Sequence, residues 1–359
     1  MNFDFTDDQE AIKRTAHDFL AARYRSETIR ALAQDERGFT EPQWHELVQL
    51  GWPGMIVPEP HDGLGLGAVE LVVIAEEMGY ALAPSPLHSN TCAALLLIAA
   101  GTEDQRRRWL EPLARGELRG TLAVWDEQAG WAPDRSEAEP TGRALTATKI
   151  AVPDAASADF LIVAGADGRH YLLETRDPSV QIVAESPLDP TRKLFTVHLA
   201  AAPVEPLADR PERVAQAYAT IVTALAAENV GVAQRAMEMA VEYAKDRKQF
   251  DRPIGAYQAV SHRCAQMLLE VESARSLSYW AAWALDHEPE SALRAASMAK
   301  AYAGDAGFRV TASSLQVHGG IGFTWEHDLH FFLKRATANA HAFGDSRWHR
   351  DRVADLTGV

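Results

Sequence analysis

Two periods of hydrophobic and polar residues run along this chain, and they predict where it folds into helices and where into strands. After Thr6, apolar side chains recur at the spacing of one helical face. They are Ile12, Ala16, Phe19 and Leu20. Because Gln9 follows Thr6 by three positions, Thr6 is predicted to be the N-cap of this first helix.

The middle of the chain has a different pattern. A Gly- and Pro-rich connection at 50–67 precedes a predicted helix at 68–80. From about 118 to 206, short β-branched runs such as 160–163 and 180–183 alternate with Asp, Gly and Pro. This pattern indicates a small β domain.

Helical periodicity returns after Asp209 and continues almost to the end of the chain. The predicted helices span 214–248, 254–287, 290–314 and 329–342. Their length and apolar content favour a helical bundle. The sequence therefore predicts an α+β fold that is mainly α, with domains at 1–117, 118–206 and 207–359.

Composition and charge exclude several classes of function. The 359 residues are 47% hydrophobic and 24% charged, as in an ordinary globular protein. A net charge of −15 argues against nucleic acid or an anionic membrane as the main partner, because both attract basic surfaces. Cys92 and Cys264 are too few for a disulfide framework and lack the spacing of metal-binding cysteines. We expect no metal site in this protein.

The N-terminus is acidic and lacks the basic and apolar regions of a signal peptide. No run of 18 apolar residues follows. The expected location is the cytoplasm, without a membrane span. His318, His327 and His330 lack a matching carboxylate or cysteine set and are interpreted as surface or loop histidines.

Two segments about sixty positions apart carry the most specific signal. One reads R-K-Q-F-D-R-P-I-G-A-Y-Q from Arg247 to Gln258, and the other begins Q-V-H-G-G at Gln316. Together they supply an arginine, amide side chains and a Gly-Gly turn, which are groups that grip a dinucleotide pyrophosphate. With these residues the chain resembles the acyl-CoA dehydrogenase family, flavoenzymes that bind FAD between subunits.

The resemblance carries further expectations for fold and site. It implies N-terminal helices, a β-barrel-like middle domain and a C-terminal four-helix bundle. It also implies a set of residues that reach across a subunit interface to the neighbour's FAD, with an acyl-CoA substrate and an electron-transfer flavoprotein as electron acceptor. The set is Arg247, Phe250, Gln258, Gln316, Gly319 and Gly320.

The residue that should act as catalytic base is missing. In many members of the family this base is the Glu of an I-Y-E-G-T motif, and the matching position here is Phe343. Phenylalanine cannot accept a proton. Two carboxylates could replace the Glu: Asp345, two positions later, and Glu228, in the helix that leads to Arg247. For Glu228, a role in helix packing or at an interface is the stronger interpretation.

The middle domain also lacks residues that the family uses at the flavin. Where the family has small residues beside the flavin in T-E-P-x-A-G-S-D, this chain has Trp125 and Trp131 around the matching Ala129-Gly130. Where the family has a Trp that packs on the flavin and a Thr that bonds to it, the chain has Ala151 and Pro153.

The replaced residues are those that the family uses for a chain's own flavin and substrate, whereas those that reach a neighbour's FAD are kept. Three hypotheses follow. The favoured one is a subunit that lends FAD-binding residues to a catalytic paralogue in a heterotetramer, of the kind found in bacterial steroid side-chain degradation. The second is a self-sufficient homo-oligomeric enzyme with Glu228 or Asp345 as base. The third is a non-enzymatic scaffold or CoA-ester binding protein.

Overall fold

The computed structural model describes residues 5–127 and 135–358, which are mainly helical. The helices are α1 Asp7–Arg23, α2 Ser26–Gln34, α3 Glu41–Gln49, α4 Ala68–Tyr80, α5 Leu87–Ala100, α6 Glu103–Gln105, α7 Glu111–Ala114, α8 Pro211–Asp246, α9 Gln258–His287, α10 Pro289–His318, α11 Leu329–His341 and α12 Ser346–Thr357. A π-helical turn, Arg106–Leu110, joins α6 to α7, and a 3-10 turn, Gly319–Phe323, follows α10.

The strands lie between α7 and α8, apart from one short hairpin after α8. They are β1 Gly120–Ala123, β2 Glu139–Thr141, β3 Ala144–Pro153, β4 Phe160–Ala164, β5 His170–Glu174, β6 Val180–Ala184, β7 Leu194–Pro203, β8 Glu205–Pro206, β9 Lys248–Gln249 and β10 Arg252–Pro253. One sheet has the order β1-β4-β5-β8, with β1 parallel to β4, and the other is antiparallel with the order β2-β3-β7-β6. The predicted fold class is confirmed: the chain is mainly helical, with helices before and after a β region in the sequence.

Local signals in the sequence set several helix ends. Thr6 caps α1 and forms a reciprocal capping box with Gln9, as predicted. The prediction that α10 ends at 314 was too short, because the helix continues to His318 and stops where Gly319 adopts φ 62°, ψ −139°. The prediction that α9 begins at 254 was early, since Ile254–Ala256 forms a separate 3-10 turn.

The backbone contacts group the chain into two compact units. One contains 5–30, 68–83 and 222–358, and the other contains 31–67 and 84–221. The division into domains at 1–117, 118–206 and 207–359 stays a prediction.

In the first unit, helices α8, α9 and α10 share a core that is largely alanine. Its alanines are Ala226, Ala233, Ala240, Ala244, Ala274, Ala281, Ala284, Ala295, Ala299, Ala303 and Ala306. Small side chains let helix backbones approach closely, and glycine allows the closest approach. Helices α4 and α8 meet in this way: a Cβ on Gly79 would lie 2.0 Å from the carbonyl oxygen of Glu228, and one on Gly231 would lie 1.9 Å from that of Glu76.

We expect Gly231→Ala to lower the free energy of unfolding by about 1–3 kcal/mol, because the new methyl group would collide with the backbone of α4. Gly304→Ala is the matched control in α10. Its Cβ would meet Ala340 at 3.4 Å, an ordinary contact, so the better helix propensity of alanine should stabilise the protein by up to ~1 kcal/mol. Denaturant unfolding of both variants checks the prediction, and equal effects would contradict it.

Candidate functional site

The first predicted FAD-binding segment forms a tight hairpin at the end of α8. Arg247 is exposed and directly precedes strand β9. Strands β9 and β10 pair antiparallel around Phe250 and Asp251, whose φ angles of 52° and 64° are both left-handed. This backbone is typical of two-residue hairpin turns. It leaves the Phe250 side chain 88% exposed, so the hairpin presents an aromatic ring to the solvent.

The hairpin is supported from the start of α9. The Tyr257 hydroxyl donates to the Gln249 carbonyl oxygen at 3.1 Å, and the Arg252 guanidinium lies 4.0 Å from the centre of the Tyr257 ring. Gln258 begins α9 directly after Tyr257, and its side chain is exposed. Arg247, Phe250 and Gln258 are therefore all presented outward.

The second predicted segment lies where α10 ends. Gln316 is exposed on the last turn of the helix, and Gly320 is exposed beyond it. Gly319 has a φ/ψ combination that essentially only glycine tolerates. A Cβ built on either Gly319 or Gly320 would have no neighbour within 4 Å, so the space beside this backbone is open. Such a site fits the close approach of a phosphate group.

Tertiary packing brings the two segments together. The Tyr243 ring stacks on His318, with 4.7 Å between ring centres and 23° between ring planes. Arg247 follows Tyr243 by one helical turn and donates its amide to the Tyr243 carbonyl oxygen, while His318 directly precedes Gly319. Ser314 also donates to the Ala236 carbonyl oxygen at 2.6 Å. The ends of α8 and α10 are thus locked side by side.

Burial lowers the pKa of His318, and its Nδ1 contacts the Ser314 carbonyl oxygen at 2.8 Å. Because a carbonyl oxygen can only accept, this contact places a proton on Nδ1. His318 also packs edge-on against His327, and His330 stacks on Trp325. His318 is buried at the end of α10, so its interpretation as a surface or loop histidine was wrong. No cluster of His, Cys, Asp or Glu able to hold a metal ion occurs within 5–127 and 135–358.

Glu228 lies in the core of the helical unit. Its side chain is 7% exposed, and Oε1 accepts from Arg335, which is 2% exposed, at 2.7 Å. The next residue, Asn229, donates to the Ala303 carbonyl oxygen at 2.9 Å. The ion pair joins α8 to α11 and engages one oxygen of the carboxylate proposed as a replacement base.

Asp345 and Phe343 lie in the loop between α11 and α12. The Asp345 carboxylate caps α12 by accepting from the Trp348 amide at 2.8 Å, and it borders a cavity of about 340 Å³. Phe343 is 5% exposed and has a left-handed φ of 57°. The position that the sequence comparison predicts for the catalytic base therefore holds a buried aromatic ring.

Two buried side chains that the sequence did not single out hold this loop. Lys300 donates to the carbonyl oxygens of Ala340 at 3.0 Å and Gly344 at 2.8 Å. His349 Nε2 donates to the carbonyl oxygen of Phe343 at 3.0 Å. Burial lowers the pKa of Lys300 to about 7. Burial, with the nearby Lys300 charge, lowers the pKa of His349 to about 3. A lysine within a helical pattern gives no sequence signal for such a role.

The lowered pKa of Lys300 predicts a pH dependence. Between pH 7 and about 10.5 the unfolded chain holds a proton on this lysine that the folded chain has lost, so stability due to Lys300 rises with pH by about 1 kcal/mol per unit. We expect Lys300→Met to remove this slope. Urea unfolding of both proteins at pH 7, 8 and 9 measures it, and a constant difference between them would contradict the assignment.

In the second unit, the described positions predicted to match the family's flavin-facing segments make contacts within the protein. Trp125 is 6% exposed, and its carbonyl oxygen accepts from the Ile150 amide at 2.9 Å. Beside it, the fully buried Lys149 ammonium donates to Asp126 at 2.7 Å and to Ser136 at 2.7 Å. The matching Ala129-Gly130 and Trp131 lie outside the described residues.

Strand β3 is irregular at Ala151 and regularly paired at Pro153. Its register against β7 shifts between Lys149 and Val152, and Ala151 within this bulge has a left-handed φ of 50°. Pro153 pairs with Leu194, and its carbonyl oxygen accepts from Thr121 at 2.7 Å. Pro153 has neither a hydroxyl nor an N–H to offer a ligand.

Within the described ranges, no helix is both long enough and apolar enough to cross a membrane.

Comparisons with known proteins agree with this architecture. The family described as "Acyl-CoA dehydrogenase, N-terminal domain" matches residues 6–117, and "Acyl-CoA dehydrogenase, C-terminal domain" matches residues 223–357. Acyl-CoA dehydrogenase IpdE2 of Mycobacterium tuberculosis is 32% identical over 342 residues, which cover 95% of this chain and 94% of that protein.

Two solved structures are similar over nearly their whole length. The Tcur3481-Tcur3483 steroid ACAD G363A variant has a TM-score of 0.90 and 29% identity, with 98% of each chain covered. The ChsE4-ChsE5 complex from Mycobacterium tuberculosis has a TM-score of 0.88 and 25% identity, covering 100% of this chain and 99% of that one. The chain therefore belongs to the acyl-CoA dehydrogenase family, whose members are FAD-dependent oxidoreductases.

Proposed function

We propose that this chain is a subunit of an FAD-dependent acyl-CoA dehydrogenase and lends FAD-binding residues to a catalytic paralogue. The assembly removes hydrogen across the alpha and beta carbons of an acyl-CoA thioester and passes electrons to an electron-transfer flavoprotein. One observation carries the proposal: the ends of α8 and α10 are locked together with their ligand-binding groups facing outward.

The lending groups fit the anionic part of FAD. Arg247 offers a permanent charge and paired donors to a pyrophosphate, and Gln258 and Gln316 add amide donors and acceptors. The backbone at Gly319-Gly320 is open to close approach. Phe250, with 88% of its side chain exposed, is an unusual surface residue for an isolated chain and suits an interface.

The residues that would have to hold a flavin bound by this chain itself do not fit that role. Trp125 is buried, Pro153 is paired within its sheet, and the base position is the buried Phe343. A bound FAD would supply a hydride acceptor for the beta carbon of the thioester, and that chemistry would require a base within reach of the alpha proton. The chain offers neither the usual base nor the usual residues that hold the flavin ring.

The relatives support a mixed assembly, which we propose is a heterotetramer. One similar structure is a complex of two differently named proteins, and another carries a paired name and is a steroid ACAD. A bulky, steroid-derived acyl-CoA is the corresponding substrate class. Cys92 and Cys264 are not disulfide-bonded, which is consistent with the proposed cytoplasmic location.

The two other hypotheses receive less support. For a self-sufficient enzyme, Glu228 would have to leave its ion pair with Arg335, and Asp345 would have to leave its helix cap. A scaffold without chemistry leaves the outward-facing Arg247 and the open Gly319-Gly320 backbone without a purpose.

The test is flavin content per chain, read from the absorption spectrum. We expect the chain expressed alone to be nearly colourless, and the chain coexpressed with a catalytic paralogue to contain flavin at less than one per chain. A fully loaded flavin in the lone chain that substrate bleaches would overturn the proposal in favour of the self-sufficient enzyme. A coexpressed complex without flavin would favour the scaffold.

A further inference from the structure

The segment 319–328 after α10 is poorly anchored by burial. Its large apolar side chains point outward: Ile321 is 39% exposed, Phe323 71% and Trp325 62%. Gly322 of this segment is buried, and a Cβ on it would lie 3.0 Å from the His318 side chain. A segment with so little buried surface owes its conformation to a few specific contacts. The same segment begins with the Gly319-Gly320 backbone.

Arg30, in the middle of α2, supplies such contacts. Its Nη1 donates to the Trp325 carbonyl oxygen at 2.7 Å, and its Nη2 donates to that of Glu326 at 3.1 Å. Nη2 also lies 2.6 Å from Asp328 Oδ1. The guanidinium carbon is 5.4 Å from the centre of the Phe331 ring. One side chain thus binds two consecutive carbonyls and a carboxylate of the segment.

We propose that Arg30 is a positioning residue for the flavin-binding turn at Gly319-Gly320. By fixing 325–328 it sets where the preceding turn directs its backbone toward the neighbouring subunit. This proposal rests on the lending of FAD-binding residues proposed above. Arg30 itself needs no contact with the flavin, and its sequence neighbourhood carries none of the family motifs.

The chemistry of the contact requires arginine. A planar guanidinium presents several donors in a fixed fork, whereas a lysine ammonium is a single rotating point charge. The ion pair is also partly shielded, with Arg30 25% and Asp328 22% exposed, so solvent weakens it less than a fully exposed pair. Lysine should keep the charge near Asp328 but lose the simultaneous grip on Trp325 and Glu326.

The test uses the coexpressed complex and three variants: Arg30→Met, Arg30→Lys and the control Arg25→Met. Arg25 is an exposed arginine five residues earlier, just before α2. The measurements are the FAD dissociation constant of the complex, subunit stoichiometry, and amide hydrogen exchange of 319–328 in the lone chain. The exchange measurement does not depend on flavin.

We expect Arg30→Met to weaken FAD binding by about tenfold, the effect typical of a supporting residue behind a binding group. Subunit stoichiometry should be unchanged, and exchange should accelerate within 319–328 but not across the α8–α10 core. Arg30→Lys should restore part of the affinity, and Arg25→Met should match the parent in every measurement.

Two results would overturn the inference. One is parental FAD affinity in Arg30→Met, and the other is faster exchange throughout the helical unit, which would mean general destabilisation. Neither result touches the proposed function, which fails separately if the parent chain alone carries a full complement of flavin. In that case the same three variants are measured in the homo-oligomer, with the same expected order of affinities.

Discussion

Arg335→Met should be among the most destabilising single substitutions in this chain, lowering the free energy of unfolding by about 3–5 kcal/mol. The Glu228 carboxylate and the Arg335 guanidinium are 2.7 Å apart, with 7% and 2% of their side chains exposed. Removing the cation leaves a carboxylate in the protein interior without its guanidinium partner, at a point where α4 and α8 are in backbone contact. Denaturant unfolding measures the loss.

The double variant Glu228→Leu with Arg335→Met is the control for this prediction. Replacing both charges with apolar groups of similar size removes the buried charge, so most of the lost stability should return. The same variant examines the relocated base, because we expect it to support normal turnover in the coexpressed complex. A double variant that folds and assembles but is inactive would instead assign Glu228 a catalytic role.

Arg247→Ala should weaken FAD binding by the coexpressed complex about 10- to 100-fold, without changing the stability of this chain. The factor corresponds to the loss of charge-assisted hydrogen bonds, about 1.5–3 kcal/mol. Arg247 is exposed at the base of the hairpin, so its removal leaves the fold intact. Flavin titration of the purified complex, together with the thermal midpoint of the lone chain, separates the two effects.

Arg252→Ala is the matched control on the same hairpin. Arg252 stacks on Tyr257 at 4.0 Å and is not part of the predicted FAD-binding set. Removing Arg252 should change the conformation of the hairpin more than the affinity for flavin. Equal losses of flavin affinity in the two variants would show that hairpin conformation, and not the Arg247 charge, governs binding, which would contradict the role proposed for Arg247.

The sequence determined the order of elements and the family through local information. The capping box of Thr6 with Gln9, the helix at Ala68–Tyr80 and the helical periodicity after Asp209 each depend on nearby residues, and the structure contains each of them. The two predicted FAD-binding segments could also be picked out, because their residue types and spacing resemble those of the family.

Tertiary structure alone decided which charged residues are engaged and which face outward. Glu228 and Arg335 are 107 positions apart, and nothing in the local pattern of either predicts their ion pair. Lys300 and Arg30 likewise bind backbone carbonyls far along the chain. The physical reason is that hydrophobic periodicity reports which face of an element is buried, whereas a polar contact depends on which atoms packing brings within 3 Å.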